Sequence, residues 1–374
     1  MCFTGELVYL PGPEGCFLIL WLAPISHPLF VFEWENPLTG RKPQLTWTRL
    51  LQGFKNAPTF EEALATDLSA LPRETVNCPL LEHGDDLLLA SFCQEDCWKG
   101  TRTLQDLLSD TGYKVFWKKA QICRQTVRYL GFVISKGHKA LGPERKRAIY
   151  PIPQRTTKKE VREFLGVAGF CRIWIPGFSN IAKPLYQATV GSGKELLKWK
   201  PEQEKAFKEI KRLPTSASAL RPPDMTWEFH LFVCEKNRMA LGVLMQMVGP
   251  WQRPVAYPSK RLDTVALGWP PCLWALAAVV ALVREADKLT LGQNVNVKVS
   301  HAVTALMSSQ GHKWQTSTRM THHQGLLCEN HQVRLETICV LNPATFLPAE
   351  ARPRDHDCEE TVDEVCSSRP DLTP

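Results

Sequence analysis

The sequence predicts an α+β fold, and three observations carry that expectation. Short apolar and aromatic runs bounded by Pro, Gly and Asn fill the first 136 residues, the pattern of β-strands. Residues 137–222 switch to helical periodicity with recognisable start and stop signals. From Trp227 three strand-like runs precede a long apolar helical pattern and a further strand, which suggests a sheet domain of α+β or α/β type. At 374 residues the chain has room for two or three domains with a substantial core.

In the first segment, CFLILWLAP (Cys16–Pro24) reads as a buried strand, being much shorter than the roughly 20 residues that span a bilayer. PLFVFEW and QLTWTRLLQGF follow as further strands. In TFEEALATDLSAL, Phe60, Leu64, Leu68 and Leu71 fall at helical spacing with Thr59 as N-cap. LLEHGDDLLLA then reads as strand, turn, strand, CWKGTRTLQDLLSDTGYKV as a helix ending at Gly112, and VRYLGFVIS as another hairpin.

In the second segment, TTKKEVREFLGVAGFCRIWIPGF starts with a capping box in outline, Thr157 followed by Glu160, and Pro176 stops it. Val161, Phe164, Leu165 and Ala168 form its apolar face. PEQEKAFKEIKRLP makes a second helix, opening at Pro201 and closing before Pro214. In the third segment the expected strands are WEFHLFVCEK, MALGVLMQMV, RPVAYPSKRL and VNVKVS, with PCLWALAAVVALVREADKL as the helix. The last 25 residues hold eight acids with several Pro and Ser, which predicts a disordered tail over 351–374.

Net charge is +7, but it is concentrated. Between Lys114 and Arg162 there are fourteen Lys or Arg and two acids, interleaved with Tyr113, Phe116, Trp117, Tyr129 and Phe132. Such a block is either the footprint of a phosphate-backbone partner or a solvated basic surface. The 13 Cys have no regular framework and no secretory signal precedes them, so reduced thiols in an intracellular, cytoplasmic protein are expected. Cys93 and Cys97, with His83 upstream, lack the second pair that a zinc site needs. No membrane-spanning or lipidation signal is visible.

The sharpest question is posed by Asp85 and Asp86, adjacent like charges at the expected hairpin turn. Asp serves turn chemistry, which accounts for one reading. Adjacent carboxylates also repel unless a cation sits beside them, which accounts for the other.

The segments PLFVFEW, QLTWTRLLQGFKNAPT, LLEHGDDLLLA, KKAQIC, VRYLGF, REFLGVAGFCRIWIPGF, GWPPCL and LNPATFLP occur in an order and at a spacing that closely resemble the reverse transcriptase of gammaretroviruses, the murine leukaemia virus type. The resemblance implies a truncated fingers and palm region over 1–136, a helical thumb over 137–222 and an RNase H-like connection domain over 223–350. It further implies that most of the fingers and the catalytic RNase H domain are missing.

By the same resemblance Asp85 and Asp86 are metal-binding catalytic carboxylates for Mg²⁺ or Mn²⁺, and a template–primer of RNA and DNA is the partner. Two-ion chemistry requires hard oxygen ligands converging from separate strands. An ungapped alignment places the third ligand at Gly12, with Gly15 replacing another acid and Glu14 on the opposite face of a strand. Pro11 and Pro13 disfavour a central strand there. Metal binding is therefore expected to fall beyond the roughly 10- to 100-fold typical of losing an outer partner of a ligand. His83 and Gly84 replace an aromatic and a branched residue, and Gly84 is expected to loosen the strand.

Phe17 matches the aromatic gate that rejects a 2′-hydroxyl. Gln52 and Gly53, within QGFKNAP, match the nucleotide and template segment, where Leu51 replaces a Pro. Lys118 matches a lysine near the incoming triphosphate, and Tyr129, Leu130, Gly131 and Phe132 match the primer grip. Phe17 and Phe132 read equally as core. Cys234 stands where the family's RNase H-like domain has an acid. The expectation is a Pol-derived protein of an endogenous retrovirus with impaired polymerase chemistry. A working RNA-directed DNA polymerase and a non-catalytic nucleic-acid-binding or interaction protein are the alternatives.

Overall fold

The computed structural model describes residues 6–10, 21–50, 58–71, 78–113, 115, 117–309, 311–338 and 342–348. The chain divides into two compact units, Phe3–Gly137 and Met1–Cys2 with His138–Pro374.

The first unit contains β1 (Glu6–Leu10), β2 (Val31–Glu33), β3 (Gln44–Thr46), α1 (Pro58–Leu68), β4 (Leu80–His83), β5 (Asp86–Ser91), α2 (Gln94–Asp110), β6 (Gln121–Arg124), β7 (Thr126–Tyr129) and β8 (Phe132–Ser135). Its main sheet has the order β4-β5-β1-β6. The continuous apolar run of β5 is explained by burial on both faces. Val8, Leu10, Leu87 and Leu89 pack on Phe60, Leu64, Leu104 and Leu108 of α1 and α2. Leu7, Leu88 and Ala90 point the other way and meet Val127 and Tyr129 of the β7–β8 hairpin. Alternation along two strands thus feeds two layers of core.

α1 begins at Pro58, so Thr59 lies inside the helix and does not cap it. Proline's fixed φ and missing N–H suit a first helical position, which explains the earlier start. The N-cap of α2 is Cys93, whose Sγ accepts from Asp96 N at 3.4 Å. CFLILWLAP lies largely outside the described residues; Trp21, at its described end, makes an isolated bridge to Arg49 and is exposed.

The second unit opens with β9 (His138–Leu141), α3 (Pro143–Ile149), α4 (Lys158–Gly169), α5 (Phe178–Ala188) and α6 (Pro201–Ser216). The α4 capping box is complete: Thr157 Oγ1 accepts from Glu160 N at 3.3 Å, and Glu160 Oε2 accepts from Thr157 N at 3.0 Å. α4 stops at Gly169, short of Pro176, because the backbone tightens to an i→i−3 bond from Cys171 N to Ala168 O (2.9 Å). A 3-10 turn, Arg172–Trp174, then buries Trp174. α6 runs through Pro214 to Ser216; in the last turn a proline removes one intrahelical bond, which the helix tolerates.

The remainder builds β10 (Phe229–Lys236), β11 (Met239–Val248), β12 (Trp251–Ala256), β13 (Ser259–Arg261), α7 (Pro271–Thr290), β14 (Val295–Val299), α8 (Val303–Ser309), α9 (Gly311–Trp314), α10 (Ser317–Leu327) and β15 (Val333–Thr337). The sheet order is β12-β11-β10-β14-β15, with β13 also pairing β11. β10 is antiparallel to β11 and parallel to β14, as a helical crossover requires. RPVAYPSKRL, expected as one strand, is two, divided at Tyr257 and Pro258. α7 packs its apolar length against Phe229, Leu231, Val233, Ala240 and Leu244. The opposite face holds Phe232, Cys234, Leu241 and Val243 against Ala344 and Leu347. No helix among the described residues is long and apolar enough to cross a membrane.

Candidate active site

The aspartate pair lies at the tip of the β4–β5 hairpin. His83 pairs with Asp86, which leaves Gly84 and Asp85 as a two-residue loop. Gly84 has φ +61° and Asp85 stays in the ordinary negative-φ range, the pattern of a type II′ turn. The turn is therefore Gly84–Asp85, one position earlier than the Asp pair, and Asp86 is the first residue of β5. Gly84, expected to loosen the strand, instead supplies the left-handed residue that this turn demands.

Strand alternation puts Asp86 on the face of β5 that also carries Leu88 and Ala90. Tyr9 stands opposite Leu88 in the β1–β5 register, on the same face. Its side chain reaches diagonally, and the hydroxyl donates to Asp86 Oδ1 at 2.8 Å. Tyr129, from β7, meets the Tyr9 ring edge-on, with centroids 5.7 Å apart and planes at 76°. Burial, then the Asp86 hydrogen bond and the charges of Asp86 and Asp85, push the Tyr9 phenol far above its ordinary 10.0, so it remains a donor at neutral pH. Burial and then the Asp86 charge also raise Tyr129. Across the hairpin, burial and then the charge of Glu61 raise Glu82, another sign that negative charge gathers here.

Asp85 and Asp86 are the residues that would hold a divalent ion. Among the described residues, however, no group of three or more His, Cys, Asp and Glu side chains could bind a metal. Magnesium prefers six hard oxygens in a near-octahedral shell, and one Asp86 oxygen already accepts a hydrogen bond from the Tyr9 hydroxyl. The described side chains therefore do not fit a two-ion centre.

Those of the other expected site residues that are described lie on two turns. Tyr129, Leu130, Gly131 and Phe132 form the β7–β8 turn, with φ +49° at Leu130 and +74° at Gly131, the type I′ pattern. Leu130 packs on the layer of Leu7, Leu88 and Val127 that also receives Tyr9, so this turn and Asp86 share one face of the sheet. Lys118 is exposed on a 3-10 turn, Trp117–Lys119, and His83 is exposed on β4. Gly12, Phe17, Gln52 and Gly53 lie outside the described residues. Cys234 is buried on β10, which pushes its thiol up to about 11 and leaves no ionised group there.

Tyr9 is the residue that reading the sequence missed. Its signal was a phenol in the otherwise apolar run LVYL. The basic block is also more structural than its composition suggested. Arg162 Nη2 donates to Thr189 O and Gly191 O, each at 2.6 Å, and Lys158 pairs with Glu195. Arg145 stacks 3.8 Å over Phe170.

The family model for reverse transcriptase (RNA-dependent DNA polymerase) matches residues 13–134, and that for the RNase H-like domain found in reverse transcriptase matches 199–297. The Gag-Pol polyprotein of Gibbon ape leukemia virus is 49% identical over 361 residues, 96% of this chain, and that of Feline leukemia virus 48% over the same length. The chain spans 21% of each of those polyproteins. A solved foamy viral protease-reverse transcriptase in complex with double-stranded DNA superposes with TM-score 0.79 at 23% identity, covering 91% of this chain and 58% of that one. The foamy viral enzyme in complex with RNA/DNA hybrid gives 0.77 at 24% identity, covering 94% and 46%.

Proposed function

Since this chain is a reverse-transcriptase segment of the gammaretroviral Pol type, we propose that it is a Pol-derived protein of an endogenous retrovirus that holds a template–primer duplex but is impaired in nucleotide addition. In this reading residues 1–136 are the fingers and palm region, 137–222 the thumb, 223–350 the RNase H-like connection domain and 351–374 an acidic tail. The observation that carries it is the Tyr9 hydroxyl on Asp86 Oδ1, at the one carboxylate pair of the palm hairpin. The sequence supplies glycine, with no side-chain oxygen, at position 12.

Duplex binding is supported by the neighbours that were solved on double-stranded DNA and on RNA/DNA hybrid. The cations of the 114–162 block that are not spent on the chain's own carbonyls and carboxylates would meet its phosphates, which makes binding salt-dependent. Any residual activity would need Mg²⁺ or Mn²⁺, and Asp85 and Asp86 are the side chains that would hold it.

Primer extension on a primed RNA template, with Mg²⁺ and then Mn²⁺, tests the proposal against an Asp85→Asn/Asp86→Asn control. The expected result is hybrid binding that weakens with salt and no extension beyond the control. Extension that disappears in the control would establish a working polymerase instead. A folded sample that binds no hybrid would remove the duplex-holding role.

A further inference from the structure

Within the second unit a cleft of about 390 Å³ opens between α5, the turn at Arg172 and β13, with Glu285 of α7 on one wall. That volume lies in the range of ordinary small-molecule sites, roughly 300–1,000 Å³. Its base is apolar, formed by Phe178 and Met239, which are almost fully buried. Two serines fix its walls: Ser179 N donates to Ser259 Oγ at 3.0 Å and Ser179 Oγ to Ser259 O at 2.7 Å. Ser179, Lys183 and Tyr186 follow one another at helical spacing, and all three line the cleft. Ser259 and Arg261, two apart on β13, line it from the other side.

The charges are unequal. Glu285 is the lining acid, and it is already neutralised: Oε2 accepts from Arg172 Nη2 at 3.0 Å, and Oε1 from Lys288 Nζ at 2.9 Å and Lys260 Nζ at 3.3 Å. Lys183 and Arg261 line the same cleft and make no side-chain hydrogen bond or ion pair among the described residues. Two uncommitted cations therefore face a concave space beside a half-exposed phenol ring and over an apolar floor.

We propose that this cleft is a binding site for a small organic phosphate of nucleotide size, with the phosphate held between Lys183 and Arg261 and a planar group laid against Tyr186. An apolar ligand would leave both cations without a partner, and a free phosphate would leave the apolar base and the ring uncovered. The site lies outside the polymerase carboxylates and does not depend on whether they are active.

Calorimetric titration of the whole chain with ADP, inorganic phosphate and adenosine tests the assignment. ADP should bind more tightly than either fragment, and Lys183→Gln/Arg261→Gln should weaken it by about tenfold or more, as expected for charge-assisted hydrogen bonds. Both side chains reach solvent, so the variant is expected to keep the wild-type melting profile. Tyr186→Leu should narrow the gap between ADP and inorganic phosphate. Binding that persists in Asp85→Asn/Asp86→Asn supports a site apart from the hairpin. Equal ADP affinity in wild type and the double variant would overturn the proposal, as would inorganic phosphate binding as well as ADP. A loss confined to hybrid oligonucleotide binding would assign the cleft to a nucleic-acid backbone and overturn it too.

Discussion

Replacing Tyr9 by Phe removes one oxygen and keeps the ring that packs edge-on against Tyr129. The hydroxyl donates to a carboxylate, and such a bond contributes about 1.5–3 kcal/mol. If a cation and the phenol compete for Asp86 Oδ1, that free energy now opposes metal binding. Its removal should tighten Mn²⁺ binding by roughly tenfold to a hundredfold. The decrease of the free Mn²⁺ electron paramagnetic resonance signal on titration with protein measures this directly, with Asp85→Asn/Asp86→Asn as the blank. Unchanged or weaker Mn²⁺ binding in Tyr9→Phe would refute the competition. The same bond makes a pH prediction. The folded-state pKa of Tyr9 is raised above the ordinary 10.0, so its contribution is complete below that value and is lost as pH rises beyond it. Wild type should therefore lose stability above pH 10 more steeply than Tyr9→Phe.

Three further outcomes are expected. Gly242→Ala would set a Cβ 2.8 Å from Leu282 Cδ1 and 3.1 Å from the Phe232 carbonyl oxygen, and since the backbone oxygen cannot yield, about 1–3 kcal/mol should be lost as a lower urea midpoint at unchanged slope. Thr157→Ala removes the α4 cap and should cost about 1 kcal/mol, most of it restored by Ser, with faster amide exchange in the first turn of the helix. Burial, then the charges of Arg319 and His322, hold buried His323 down at about 4 against an ordinary 6.5. Its stabilisation is thus complete above pH 6.5 and lost as pH falls toward 4, so His323→Leu should flatten the melting temperature across that window.

The α+β class was legible because most elements here obey local rules. The apolar face of α4 and its Thr157–Glu160 box can be read without tertiary information, and so can the strand pattern on either side of Asn237 and Arg238. Failures came where a neighbour decides. Pro258 breaks RPVAYPSKRL so that one half pairs with the far end of β11 and the other with its near end, a choice set by the partner strand. Pro214 was read as a stop because the propensity argument ignores how little one missing bond costs in a last turn.

At the candidate site the same division holds. The Asp pair and the Leu130–Gly131 turn are local in sequence, and both were visible there. The Tyr9–Asp86 bond spans 77 positions and exists only in one register, with Tyr9 opposite Leu88. Slipping β1 by one residue would send Tyr9 into the layer of Phe60 and Leu104 and bring Val8 and Leu10 to the face of Tyr129. The burial of Val8 and Leu10 beneath α1 and α2 therefore fixes the phenol on Asp86. It follows that Tyr9→Phe can alter cation binding without disturbing the sheet, because the apolar residues on either side of it, and not the hydroxyl, hold the register.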